Sequence, residues 1–426
     1  MAESVGFPEA VSMAVGGMVG GGIFAVLGVV AATAGTAAWL AFVAAGVLAG
    51  CAGYSFVRLM RATSGDGGPI AQIEDVTGAR WIAGLTGWVF TFGYVGTMAM
   101  YAYAFGSYAL ELLGVHAILG LPARPVVSVV AVAGFTGLNA LGARASGRTE
   151  DALVVAKVCI LLVLGGGGIW YGLQQGTIDS GLSNLGGGAV SAAAMSFVAF
   201  EGWELLTFDL DSIEGGGETV RRAIYTSIVF TTFLYILVAV TTTNLVSTET
   251  IQAHAETALA YAARPFLHET GFVLVAVAAV LSTASALNAT LFSASRLTQQ
   301  VADTTQSREG SATTQHHRGG NGGTTVRSLF VLGTLTALLT AYGSLESVTS
   351  FASGAFITIF GGVSAIAYTT RDDLVSTVVP ALGAVGAVVG LLGLFWHLHR
   401  SNPSVLVSVA MLWAVVLTLY WVPRRT

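Results

Sequence analysis

Lysine is almost absent from this chain of 426 residues. Lys157 is the only one, so arginine supplies the other 17 of the 18 basic side chains. Charge of either sign is also scarce, at 10% of residues, whereas 54% are hydrophobic and the mean hydropathy is +0.75. A soluble globular chain carries about 25% charged residues. The low content of charged residues excludes a soluble globular protein and indicates a protein that crosses a membrane many times.

Other absences narrow the function. The 2 cysteines, Cys51 and Cys159, both lie in apolar runs, where we expect buried thiols and not a disulfide or a metal pair. No G-x-x-x-x-G-K-[ST] loop and no H-E-x-x-H pattern occurs, which argues against an ATP-driven pump and an intramembrane metalloprotease. We expect a protein that is not an enzyme and that has no cofactor, metal ion or nucleic-acid partner.

The hydropathy pattern predicts an all-α polytopic membrane protein with twelve transmembrane helices. A bilayer core of about 30 Å requires about 20 apolar residues in helical form. Short polar turns separate the predicted spans, which cover residues 9–32, 35–57, 81–113, 125–141, 151–172, 188–209, 223–246, 269–297, 327–343, 345–369, 375–395 and 403–422.

The arginines predict the orientation in the cell membrane. With twelve spans both termini lie on one side, and cytoplasmic loops retain basic residues. If the termini are cytoplasmic, only Arg124, Arg264 and Arg400 fall on the outer side. The opening "MAESVGFPEA" has no basic region and no cleavage site, so we expect no signal peptide. We therefore expect both termini in the cytoplasm.

Three consecutive glycines, Gly20 to Gly22, lie in the middle of span 1. Each weakens a helix by about 1 kcal/mol relative to alanine, so we expect the span to unwind there. An unwound segment in a membrane presents free N–H groups and a positive half-helix end to an anionic ligand group. The alternative is close helix packing, for which Gly16 and Gly20 supply a G-x-x-x-G pattern.

Span 6 contains two glutamates, Glu201 and Glu204, next to Gly202. A carboxylate at membrane depth costs several kcal/mol unless it faces a cavity or a partner, so both are candidates for function. The alternative is capping, in which a glutamate after a helix break accepts freed N–H groups. Tyr94, Tyr101 and Tyr103 in span 3 are further candidates for the site lining, although membrane-interface or packing roles are more common for tyrosine.

Two interrupted spans at positions 1 and 6 are typical of an inverted-repeat transporter. The sequence resembles the amino acid–polyamine–organocation superfamily of permeases. Four stretches carry the resemblance in the family's order: "GGGIF" at residues 20–24, the segment at 138–162 that joins spans 4 and 5, "AFEGWE" at 199–204, and "LSTASALNATLFSASRL" at 281–297. The likeness extends over about residues 10–371.

One stretch departs from the family pattern. After span 6 the family reads N-P-x-R-x-x-P, whereas this chain has "EGGGETVRR" at residues 214–222, in which only the arginines remain. The departure concerns contacts of the inner loop and not the fold.

The resemblance implies the LeuT-type architecture of two inverted five-helix repeats, with discontinuous helices 1 and 6. The first repeat would span residues 9–172, the second 188–369, and residues 375–422 would form two peripheral spans. The resemblance also implies that a substrate carboxylate meets the span 1 backbone near Gly21 and Gly22, and that an amino group meets span 6 carbonyls. Phe197 would close over the substrate. The implied substrate site comprises Gly20, Gly21, Gly22, Ile23, Phe197, Phe200, Glu201, Gly202 and Glu204.

Lys157 lies where the family's sodium-independent members carry a lysine in span 5, and the resemblance implies that its ammonium replaces a sodium ion between spans 1 and 8. Ser282, Thr283 and Ser285 are the span 8 hydroxyls that could receive it. Retention of an amine where arginine replaced all others favours a titratable group, because arginine keeps its proton. The alternative is snorkelling of the long side chain to the membrane interface.

We expect a secondary transporter of amino acids that works by alternating access, coupled to protons or independent of sodium. Its partners would be the amino acid, protons and the lipid bilayer, and it would be a monomer or a homodimer. The alternative is an exchanger of cationic amino acids or polyamines. A sensor on the same fold normally requires a signalling domain, for which the chain has no long enough segment.

The net charge of −5 and the near absence of lysine suggest an extreme halophile, such as an archaeon, in whose cytoplasm salt screens surface charge. A GC-rich genome that replaces lysine by arginine is the alternative. The first hypothesis predicts that the purified protein loses its fold when the salt is diluted, as measured by circular dichroism. Full folding and activity in low-salt buffer would contradict it.

Overall fold

Helices make up most of the computed structural model, which describes residues 5–63, 68–118, 120–142, 147–184, 186–208, 210, 213–306 and 322–421. In these ranges the α-helices are α1 (Phe7–Ala34), α2 (Ala38–Ala62), α3 (Gly68–Thr77), α4 (Arg80–Leu113), α5 (Ala123–Ala140), α6 (Gly147–Gln175), α7 (Gly187–Ser196), α8 (Gly216–Leu245), α9 (Thr248–Ala253), α10 (Ala258–Tyr261), α11 (Arg264–Gln306), α12 (Gly322–Tyr342), α13 (Leu345–Thr369), α14 (Leu374–Ser401) and α15 (Pro403–Trp421). A two-stranded antiparallel hairpin, β1 (Ala117–Ile118) and β2 (Leu121–Pro122), joins α4 to α5.

Eight stretches of the described chain are long and apolar enough to cross a membrane. The first, Phe7–Ala62, contains both α1 and α2, which are joined by a single turn of 3₁₀-helix. Shorter apolar helices lie at Gly188–Phe200, Val326–Tyr342 and Pro403–Thr418. The protein is therefore a helical multi-pass membrane protein, and the total of twelve spans stays a prediction.

Helix α1 lies at the centre of the molecule and is buried on all sides over residues 18–31. It contacts α4, α6, α7, α8 and α11. A helix that is apolar around its whole circumference is expected in such a position. The outer helices instead expose apolar side chains, such as Val155, Val163 and Trp170 of α6. Cys159 also lies on that exposed face, so the expectation that both cysteines are buried is correct only for Cys51.

The predicted unwinding of span 1 at Gly20 to Gly22 is wrong, because α1 runs as one continuous helix from Phe7 to Ala34. A Cβ atom added to Gly21 would lie 2.2 Å from Cδ1 of Tyr101, and one added to Gly22 would lie 2.8 Å from Cα of Ala199. The glycines thus allow neighbouring segments to approach the helix closely. In this structure the glycines serve close packing, as the alternative interpretation predicts, and their role in substrate binding stays a prediction.

Span 6, in contrast, is broken where the sequence predicts. Helix α7 ends at Ser196, a 3₁₀-helix covers Phe197–Phe200, and Glu201 is extended with φ −70° and ψ 142°. Gly202 has φ 127°, and a second 3₁₀-helix covers Trp203–Thr207.

The chain's N-terminal segment pairs with the segment that follows this break. Val5 forms a parallel bridge with Ile213, and the N–H of Glu214 donates to the carbonyl oxygen of Val5 at 2.9 Å. The start of α1 is thereby attached to the chain that leaves span 6.

The packing role of Gly21 predicts that Gly21→Ala destabilises the protein. Overpacking of a dense core costs about 1–3 kcal/mol, because the Tyr101 ring must move away from α1. Gly166→Ala is the matched control, since Gly166 lies in helix α6 with open space around its Cα. We expect a lower melting temperature in detergent for Gly21→Ala alone, measured by fluorescence-detected size exclusion. Equal melting temperatures for the two variants would contradict the packing role.

Candidate functional site

The break in span 6 lies directly against α1. A Cβ atom on Gly202 would be 2.7 Å from the carbonyl carbon of Gly17, so the two backbones touch. The φ of 127° at Gly202 is also one that L-residues with side chains rarely adopt. Glycine is therefore required at this position by the conformation and by the contact.

The break in span 6 leaves backbone N–H and C=O groups without their helical hydrogen bonds, and these groups find hydrogen-bond partners inside the protein. Lipid cannot supply such partners. Ser353 of α13 accepts a hydrogen bond from the N–H of Val198 at 3.2 Å and donates to the carbonyl of Met195 at 2.8 Å. The hydroxyl of Tyr235 in α8 lies 2.8 Å from the carbonyl oxygen of Ala199 and 2.7 Å from that of Met18. Tyr235 thus bridges span 6 to α1.

Glu204 is fully buried and caps the second 3₁₀-helix. Its Oε2 accepts the N–H of Gly202 at 2.7 Å, and its Oε1 accepts the hydroxyl of Tyr94 at 3.2 Å. Both partners donate to the carboxylate, which is the environment of an ionised acid. The capping interpretation therefore describes what this side chain does in the structure.

Glu201 lies on the extended residue of the break and is 3% exposed. Its Oε2 accepts the hydroxyl of Tyr101 at 3.2 Å. Within the described chain, neither Glu201 nor Glu204 has a basic group within the 4.0 Å of an ion pair. The centre of the protein thus contains two neighbouring carboxyl groups without a cation.

Tyr101 occupies the surface of α1 that the resemblance implies for the substrate. Its ring lies against Gly21, and its hydroxyl reaches the carboxyl of Glu201. Of the implied site residues, Ile23 is buried in the same core. The structure therefore shows a conformation in which a tyrosine side chain fills the space beside the glycines.

The aromatic residues of span 6 point in different directions. Phe197 packs edge-on against Phe360, with ring centroids 5.5 Å apart, and lines a cavity of about 10 Å³ between α2, α13 and α14, which is room for one water molecule. Phe200 packs against Tyr235 at 5.2 Å. The implied role of Phe197 as a gate stays a prediction.

Lys157 points inward and reaches α1. Its Nζ donates to the carbonyl oxygen of Gly16 at 3.0 Å, and the residue is 6% exposed. The alternative of snorkelling to the membrane interface does not hold in this structure, because the amine ends on a central helix.

Of the three candidate hydroxyls in α11, Ser282 is the one seen to reach α1. Its hydroxyl lies within hydrogen-bonding distance of the carbonyl oxygens of Val19 and Gly20 and can donate its one proton to either. Thr283 donates instead to Ala279 of its own helix at 2.7 Å. Ser285 is half-buried in the same helix. The sequence shows that three hydroxyl side chains are available. It does not show how α11 is rotated about its axis, and this rotation decides which hydroxyl faces α1.

Comparison with known proteins decides the family. The family model described as amino acid permease matches residues 5–421. The chain belongs to the amino acid permease family. This permease is a membrane transporter and not an enzyme.

Curated relatives agree with this assignment. An uncharacterised protein of Methanocaldococcus jannaschii is 32% identical over 86% of the permease and 82% of the relative. The inner membrane transport protein YbaT of Escherichia coli is 30% identical over 96% of each chain. The serine/threonine exchanger SteT of Bacillus subtilis is 24% identical over 71% of the permease and 69% of the exchanger.

Among solved structures, a manganese transporter of Eremococcus coleocola superposes with a TM-score of 0.58. It covers 97% of the permease and 92% of its own chain, at 12% sequence identity. At this identity the likeness shows a shared transporter fold and nothing about what is carried.

The contact between Gly202 and Gly17 predicts that Gly202→Ala disrupts the permease. The positive φ alone costs an L-residue about 1–2 kcal/mol, and the added methyl group would meet the backbone of α1. Gly216→Ala is the control, because Gly216 has φ 55° with open space beside it. We expect Gly202→Ala to lower the melting temperature in detergent far more than the control does. Equal losses would show that φ matters and the contact does not.

Proposed function

We propose that the permease is a secondary active transporter of amino acids that works by alternating access, coupled to protons or independent of sodium. The family assignment and the exchanger among its relatives support amino acids as cargo. The single observation that carries the energetic part of the proposal is the hydrogen bond from Lys157 to Gly16.

This hydrogen bond places a positive charge between α1 and α6, beside the contact of α1 with α11. Carbonyl oxygens of broken or strained helices coordinate sodium in related architectures. Here the carbonyls of Gly16 and Gly20 receive an ammonium from Lys157 and a hydroxyl from Ser282. The ammonium supplies the charge that a sodium ion would otherwise bring, so the permease does not need sodium to hold these helices together.

The architecture that we propose has two inverted repeats at residues 9–172 and 188–369, with residues 375–422 at the periphery. The contact of Gly17 with Gly202 supports it, because the first segments of the two repeats meet there. The substrate would bind between α1 near Gly21 and the span 6 carbonyls near Phe197. Both termini would lie in the cytoplasm, and the oligomer would be a monomer or a homodimer.

The second candidate is exchange of cationic amino acids or polyamines. The observation that favours it is the buried carboxyl of Glu201, which has no basic partner in the described chain. A cationic substrate group would supply that partner.

An uptake panel tests the function directly. Purified permease in proteoliposomes is given radiolabelled leucine, serine, glutamate, arginine and putrescine, with and without a pH gradient, in sodium-free and sodium-containing buffer. We expect uptake of at least one amino acid without sodium, and protein-free liposomes provide the blank. Uptake confined to arginine and putrescine would favour the second candidate, and strict dependence on sodium would overturn the proposed energetics.

For Lys157 we predict that Lys157→Ala abolishes uptake driven by a pH gradient, because no charge then joins α6 to α1. Cys159→Ala is the matched control, since Cys159 lies two residues along α6 and is exposed. The control should keep wild-type uptake. Unchanged uptake by Lys157→Ala with a persisting dependence on pH would defeat the proposal.

A further inference from the structure

The two carboxyl groups at the break in span 6 have different hydrogen-bond partners. Glu204 accepts from the N–H of Gly202, a group that can only donate, and from the hydroxyl of Tyr94. Both hydrogen bonds suit an ionised carboxylate. Glu204 therefore carries the negative charge of the pair.

The surroundings of Glu201 suit a protonated acid instead. In the described chain, the hydroxyl of Tyr101 is the hydrogen-bond partner of its carboxyl, at 3.2 Å, and no backbone N–H donates to it as the N–H of Gly202 does to Glu204. A hydroxyl oxygen can accept a hydrogen bond as well as donate one. The contact with Tyr101 is therefore compatible with a protonated carboxyl at Glu201.

Charge repulsion also favours one protonated carboxyl in the pair. Two ionised carboxylates three residues apart in a buried core repel each other, and one of a close pair normally keeps its proton. The titratable groups around Glu201 are Tyr94 and Tyr101 from α4, Tyr235 from α8, and Glu204. Residues 17–24 of α1 contribute none. No positive group in the described chain forms an ion pair with either glutamate.

We propose that Glu201 is a proton site of the permease, protonated while Tyr101 fills the space beside Gly21. The substrate part of this inference rests on the proposed function. An ammonium group of the substrate displaces Tyr101 and becomes the counter-ion of Glu201. The O–H bond of the carboxyl then breaks, its electron pair stays on Glu201, and the proton passes to water in the opened site. Binding of one ammonium thus releases one proton.

The geometry limits which substrates can displace Tyr101 and release the proton of Glu201. The carboxyl is reached only after the Tyr101 ring leaves α1, so the displacing group must lie beside the carboxyl and also fill the place of the ring. A primary ammonium next to a compact side chain meets both requirements. Amines without such a side chain would pair with Glu201 but leave the space beside Gly21 unfilled.

Infrared spectroscopy of the purified, substrate-free permease tests the proton site without any transport. A protonated carboxylic acid has a C=O stretch separate from that of a carboxylate. We expect this band in the wild type and its loss in Glu201→Gln. Tyr101→Phe leaves Glu201 in place but removes its hydroxyl partner, so the band should shift in frequency and persist. A wild type without the band, or a band unaffected by both variants, would overturn the proposal.

The release of the proton is measured by calorimetry in two buffers of different ionisation enthalpy. The probes are the amino acids that the uptake panel shows to be carried, and we expect one proton released per molecule bound by the wild type and none by Glu201→Gln. Binding without proton release would overturn the exchange at Glu201. If the panel finds no transported amino acid, the proposed function fails, and the infrared bands still decide whether Glu201 holds a proton.

Discussion

A helix that breaks inside a membrane must satisfy its own peptide groups, and this constraint organises the centre of the permease. Lipid offers no hydrogen bonds, so each freed N–H and C=O needs a partner from the protein. Ser353, Tyr235 and Glu204 supply those partners from α13, α8 and the break itself. Their positions in turn fix the backbone of Gly202 against Gly17. The placement of Glu201, and with it the whole candidate site, follows from this arrangement.

The sequence predicts the break in span 6 and fails for span 1, and the same constraint explains both results. Helix propensity is measured in water, where an unwound peptide group is solvated at once. In a membrane core the three glycines from Gly20 to Gly22 gain nothing by unwinding, and they gain contacts with Tyr101 and Ala199 by staying helical. Span 6 differs because Glu204 is a carboxylate placed to accept the N–H of Gly202.

Inward placement of Lys157 is predictable, because a lone amine within an apolar run needs an acceptor. The identity of that acceptor is not predictable. Gly16 lies 141 positions away in the chain, and nothing in the sequence distinguishes its carbonyl oxygen from the others in α1. The choice of Ser282 over Thr283 depends on the rotation of α11 about its axis, which periodicity leaves open within a run of small polar residues. Tyr235 and Ser353 are missed altogether. Each is one of several hydroxyl side chains in its span, so nothing in the sequence distinguishes it from the others.

The attachment of Val5 to Ile213 and Glu214 has a mechanical consequence. Together with the contact of Gly17 and Gly202, it joins the first half of α1 to the chain around the span 6 break at two levels. With two points of attachment, neither segment can tilt without the other. In the proposed alternating-access cycle, an opening towards that end therefore moves both segments together, and Val5 moves with them.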